Sequence, residues 1–146
     1  MSKVSGIMGN AMSSIVNAFA LAAALLSTGP EEAAKSHPSW MVGQWAWISP
    51  TETLQRGHCP ESEFYGRNGY VTNAEEVSRW WIEGDFLVRV TVEPGYGAPA
   101  SEVGHVYRQR FTRTRPGELL FEGDDWAQKL VRCGDVPPEW EYQPAH

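Results

Sequence analysis

VSRWWIEGDFLVRVTVE, residues 77–93, is the stretch whose reading decides the fold. In its second half Phe86, Val88, Val90 and Val92 alternate with Leu87, Arg89, Thr91 and Glu93. A period of two places an apolar face and a mostly polar face on one strand. The first half, Val77 to Glu83, holds Trp80, Trp81 and Ile82, and only Gly84 and Asp85 separate the halves. Two residues with a glycine between β-rich runs make a tight hairpin. Adjacent strand residues diverge, so Trp80 and Trp81 face opposite sides of it.

Outward from this hairpin the punctuation repeats. Arg115, Pro116 and Gly117 mark a turn between Val103 to Thr114 and Glu118 to Glu122. Asn68 and Gly69 mark an earlier one, between Glu63 to Tyr65 and Tyr70 to Thr72. With Met41 to Ile48 and Gln128 to Cys133 the chain has seven or eight strands and no sustained helical period after residue 40. The fold class expected is all-β, an antiparallel up-and-down meander. Closing into a small barrel removes the exposed edges, and a two-sheet sandwich is the competing solution. Pro94 to Glu102 is the one long internal loop, with the composition of a mobile lid at a barrel mouth.

Ahead of the meander, Lys3 and the amino terminus are the only positive charges before an apolar run from Ile15 to Leu26, and no acid appears until Glu31. That order reads as a helical secretory signal over 1–29, since the run is short of the ~20 apolar residues a membrane helix needs. A retained N-terminal anchor is the alternative. The expected organisation is then a signal at 1–29, a linker at 30–40, a β-barrel domain at 41–133 and a Pro-rich extended tail at 134–146. The location expected is periplasmic or secreted.

Removing 1–29 takes only Lys3 from the charge count and leaves 117 residues with 11 basic and 18 acidic side chains. An acidic surface argues against nucleic acid as partner, and a membrane enters only if the N-terminal segment is retained. Cys59 and Cys133, an even and widely spaced pair in an exported chain, read as one disulfide.

The segment Val42-Gly43-Gln44-Trp45 opens the first strand with a G-x-W, and Arg132 lies in the last strand just before Cys133. This resembles the lipocalin and wider calycin barrels, in which a Trp at the start of the first strand packs against an Arg near the barrel's end. The resemblance implies an eight-stranded antiparallel barrel with an interior ligand cavity. It carries over Gly43, Trp45 and Arg132 as structural residues only. The chain is shorter than a true lipocalin and has no clear helix after the barrel.

Candidate binding residues come from Val103 to Thr114. One face carries Val103, His105, Tyr107, Gln109 and Phe111, and the other Val106, Arg108, Arg110 and Thr112. With the first face inward, His105, Tyr107 and Gln109 are the few polar groups among apolar walls that a ligand site needs. With the second inward, the arginines would take an anionic head group; outside, they would pair with acids such as Glu83 or Glu118. Trp81 and Trp126 are candidate exposed rings for a sugar or protein.

Catalytic patterns are thin. His58 beside Cys59 diverges from it along a strand, Asp124 with Asp125 lacks further calcium ligands, and the four histidines lack zinc spacing. No catalytic residue, metal or cofactor is assigned. The expected function is a non-enzymatic exported binding protein for a small amphipathic molecule or an envelope protein; the alternative is a small barrel enzyme acting through His105 and Tyr107.

Overall fold

Strand β1 (Lys35–Ser36) opens residues 34–145, the part that the computed structural model describes. It is followed by β2 (Gly43–Ile48), β3 (Ser62–Tyr65), β4 (Tyr70–Thr72), β5 (Val77–Glu83) and β6 (Phe86–Glu93). Then come β7 (Val106–Arg115), β8 (Glu118–Glu122) and β9 (Ala127–Gly134). The 1–29 signal or anchor lies outside the described residues.

Every strand from β2 to β9 pairs antiparallel with the next, and β9 returns to β2, so the meander closes into a ring. The all-β, antiparallel reading holds. The linker contributes an unforeseen strand, as β1 pairs Lys35 with Glu83 and Ser36 with Ile82 on the edge of β5 beyond the end of β4. Two residues in an exposed, polar segment carry no periodicity that sequence alone would register.

The deciding hairpin forms as expected, with Gly84 at φ 57° in its turn and Glu83 opposite Phe86. Its faces are the reverse of what hydropathy alone suggests. Trp80 is fully buried and stands opposite Arg89, and Ile82 stands opposite Leu87, so Leu87, Arg89 and Thr91 form the inner face. Phe86, Val88, Val90 and Val92 face outward, with Val88 buried between its cross-strand neighbours Trp81 and Arg108. The inner face accepts Arg89 because the Glu63 carboxylate meets it inside.

Apolar residues fill the ring on the side of the β1 segment. Met41, Trp45, Tyr65, Trp80, Phe121 and Leu130 are buried there. The chain at 38–42 turns beneath them, Met41 N–H donating to Pro38 O at 3.0 Å and the Trp45 indole N–H to Met41 O at 2.8 Å. Trp45 stands opposite Arg132 across the β2–β9 seam. The guanidinium donates from Nε and Nη2 to Val42 O, both at 3.2 Å, and crosses over Gly43. A Cβ on Gly43 would come within 2.6 Å of Arg132 Nε.

Cys59 and Cys133 lie at disulfide distance, Cα atoms 5.9 Å apart, tying the loop after β2 to β9. The tail runs over the outside of β3 and β4. Trp140 meets Phe64 edge to face at 5.3 Å, Tyr142 packs on Tyr70, and Glu141 accepts the Arg67 N–H at 2.9 Å.

Candidate functional site: the polar end of the ring

Alternation along β3 puts Glu63 and Tyr65 on the inner face two residues apart, and β6 sets Arg89 across from them. Arg89 Nη1 donates to Glu63 Oε1 at 2.7 Å, and the Tyr65 hydroxyl donates to Glu63 Oε2 at 2.7 Å. Glu76 lies 3.9 Å from Arg89 Nη2 and accepts the Ser78 hydroxyl at 2.6 Å. Charge and hydrogen bonds are thus supplied to a carboxylate that is only 5% exposed, the condition for burying one.

The protonation states follow from this arrangement. Burial, reinforced by the neighbouring Glu63 carboxylate, pushes the Tyr65 hydroxyl well above its ordinary range, so it stays a donor. Burial works against the Arg89 charge, but the bonded Glu63 carboxylate, with Glu76 behind it, outweighs burial and holds the guanidinium above its usual value. Arg89 Nε and Thr91 Oγ1 are buried without a partner among the described residues.

Glu63 also reaches a cleft of about 940 Å³ that crosses the rim of the ring. Trp47 contributes from the inner face, Phe64 and Trp140 from the outer, and Glu61, Ser62 and Asn73 supply polar groups between them. Trp47 is braced against Phe121 at 5.1 Å, whereas Trp140, carried by the tail, rests on Phe64 at 5.3 Å and is 54% exposed. One aromatic wall is therefore fixed and the other is peripheral.

The face of β7 expected to point inward does so by register, with Phe111 in the core, Gln109 opposite Leu87 and Tyr107 opposite Arg89. Enclosure does not follow. Tyr107 is 42% exposed, His105 is exposed and Gln109 half-buried, and the cleft draws none of its walls from the three. Of the residues expected to line a pocket beneath the 94–102 loop, His105 and Tyr107 stand open to solvent. The reason is stagger: β8 pairs with β7 only from Phe111 onward, so no described strand lies beside 106–109 on that side.

Arg108 and Arg110 lie outside, 3.9 Å from Glu83 and 3.2 Å from Asp85. Trp81 is half-buried under Lys35, whose ammonium sits 4.6 Å from the ring centroid, and Trp126 is exposed. Asp124 and Asp125 are exposed, and no cluster of three or more potential metal ligands occurs among the described residues. Sequence reasoning missed Arg89, Tyr65 and Trp47 as partners around Glu63. The available signal was an arginine in the middle of an otherwise apolar strand.

No family model, no curated protein and no solved structure matches the chain.

Proposed function

We propose that this chain is a non-enzymatic exported binding protein, its ring a small lipocalin-like barrel that takes a small amphipathic molecule at the polar rim. The observation that carries the reading is the cleft of about 940 Å³, where Trp47, Phe64 and Trp140 meet Glu61, Glu63 and Asn73. Apolar walls with a few converging polar groups are what such ligands need. The Glu63–Arg89–Tyr65 cluster supports the reading as a floor, because both oxygens of the Glu63 carboxylate are already bonded, one to Arg89 and one to Tyr65. A disulfide-distance pair is compatible with an oxidising compartment.

The enzyme alternative through His105 and Tyr107 is less well supported. Their rings pack at 4.5 Å, but both are open to water, where electrostatic stabilisation of a transition state is weak.

Native mass spectrometry of protein purified without denaturation tests the proposal, alongside titration with the neutral dye Nile red. A retained small molecule, or dye binding that Trp140→Ala weakens by about tenfold, is expected, since that exposed ring contributes to the cleft and little to the core. Dye binding unchanged in Trp140→Ala, with no molecule retained by the wild type, would sink it.

A further inference from the structure

Among the described residues, strand β7 has a neighbouring strand on only one side along each half of its length. Val106 to Arg110 pair with β6 alone, and Phe111 to Arg115 with β8. The Thr91 N–H donates to His105 O at 3.0 Å and the Phe111 N–H to Asp85 O at 2.8 Å. Backbone groups of odd-numbered residues in this half therefore turn toward β6, those of Arg110 turn toward the end of β8, and those of Val106 and Arg108 turn toward the side that β8 leaves empty. On β5 the chain meets the same situation and covers it: β1 pairs with the stretch of edge that β4 does not reach. No described strand does so for β7.

Exposed apolar side chains gather at this edge. Val103 is 55% exposed, Val106 57% and Tyr107 42%, and Trp126 lies in the turn that leaves β8 just past its last paired residue. The edge is also basic on an acidic protein, because β7 carries four of the chain's 12 basic residues. Arg115 is engaged by Glu118 and Arg113 lies over Trp40. Arg108 and Arg110 lie over the Phe86 ring and meet Glu83 and Asp85 through Nε at 3.9 and 3.2 Å; with side chains 52% and 70% exposed, their Nη groups are left to meet a further acid.

We propose that the β7 edge at 106–110 docks an extended segment of a partner protein as an added strand, with acidic residues alternating with apolar ones. Main-chain hydrogen bonds to Val106 and Arg108 would supply affinity, and side-chain alternation the selectivity. Acids on the outer face of the added strand would meet Arg108 and Arg110, and apolar residues on its inner face would meet Tyr107. A second copy of this chain is disfavoured, because edge-to-edge pairing would set arginines against arginines.

The test uses a short capped peptide of alternating valine and glutamate and a valine–lysine counterpart. The glutamate peptide is expected to bind, to slow amide exchange at Val106 and Arg108, and to bind at least about tenfold more tightly than the lysine peptide at low salt. Arg108→Glu combined with Arg110→Glu should reverse that order. Val106→Pro removes a donor from the open edge only, so it should abolish binding while near-ultraviolet circular dichroism stays unchanged. Equal affinity for the two peptides, binding without protection at Val106 and Arg108, or no binding of either would overturn the proposal.

Discussion

Arg89 shows why a polar residue belongs on the inner face of this ring. Its guanidinium compensates a Glu63 carboxylate that Tyr65 also bonds, so none of the three tolerates loss of the others. Arg89→Ala should cost about 3 to 5 kcal/mol, because Glu63 would be left as a buried, unpaired charge. Adding Glu63→Ala should restore part of that loss, and denaturant unfolding of the four proteins checks it; strictly additive losses would contradict the coupling.

Two residues also set the pH limits. Although burial opposes it, the Thr114 hydroxyl and the Lys129 and Arg115 charges hold Glu118 below its ordinary 4.5. A lowered folded value means Glu118 adds stability above that pH and loses it as pH falls through the folded value. Tyr65, raised above 10.0, adds stability below that pH and loses it as pH rises toward the folded value. In thermal melts across pH, Glu118→Gln should flatten the acid limb and Tyr65→Phe the alkaline one. Curves parallel to wild type would refute both assignments.

Among the elements, β2 is the most constrained by its neighbours. Gly43 sits at φ 149°, and Arg132 crosses where a side chain would be. Gly43→Ala should destabilise by roughly 1 to 3 kcal/mol through a disfavoured backbone and a displaced guanidinium. Gly43→Ala combined with Arg132→Ala should cost less than the two changes summed, since the clash with the guanidinium goes with the arginine while the 2.7 Å approach to Gly134 O remains. Urea midpoints of the single and double variants check this.

For the whole molecule, closure rests on the β2–β9 seam, and the Cys59–Cys133 pair sits beside it. The cysteines are 74 residues apart, and a crosslink of that span stabilises by about 4 kcal/mol in the chain-entropy model. Reduction should therefore lower the unfolding midpoint while far-ultraviolet circular dichroism keeps its β signature at low temperature. Two alkylatable thiols in freshly purified, unreduced protein would contradict the crosslink.

The strands from β2 to β9, the hairpin turns named from the sequence and the cysteine pair were legible in the sequence, because alternation, turn chemistry and cysteine parity are local or countable properties. Three things were not. The inner face of β6 was decided by Glu63, a residue 26 positions from Arg89, so local hydropathy pointed to the wrong side. Strand β1 exists only because β4 leaves part of β5 uncovered. The exposure of His105, Tyr107 and Gln109 depends on where β8 stops relative to β7, and stagger between strands is a property of the closed sheet, not of any one strand.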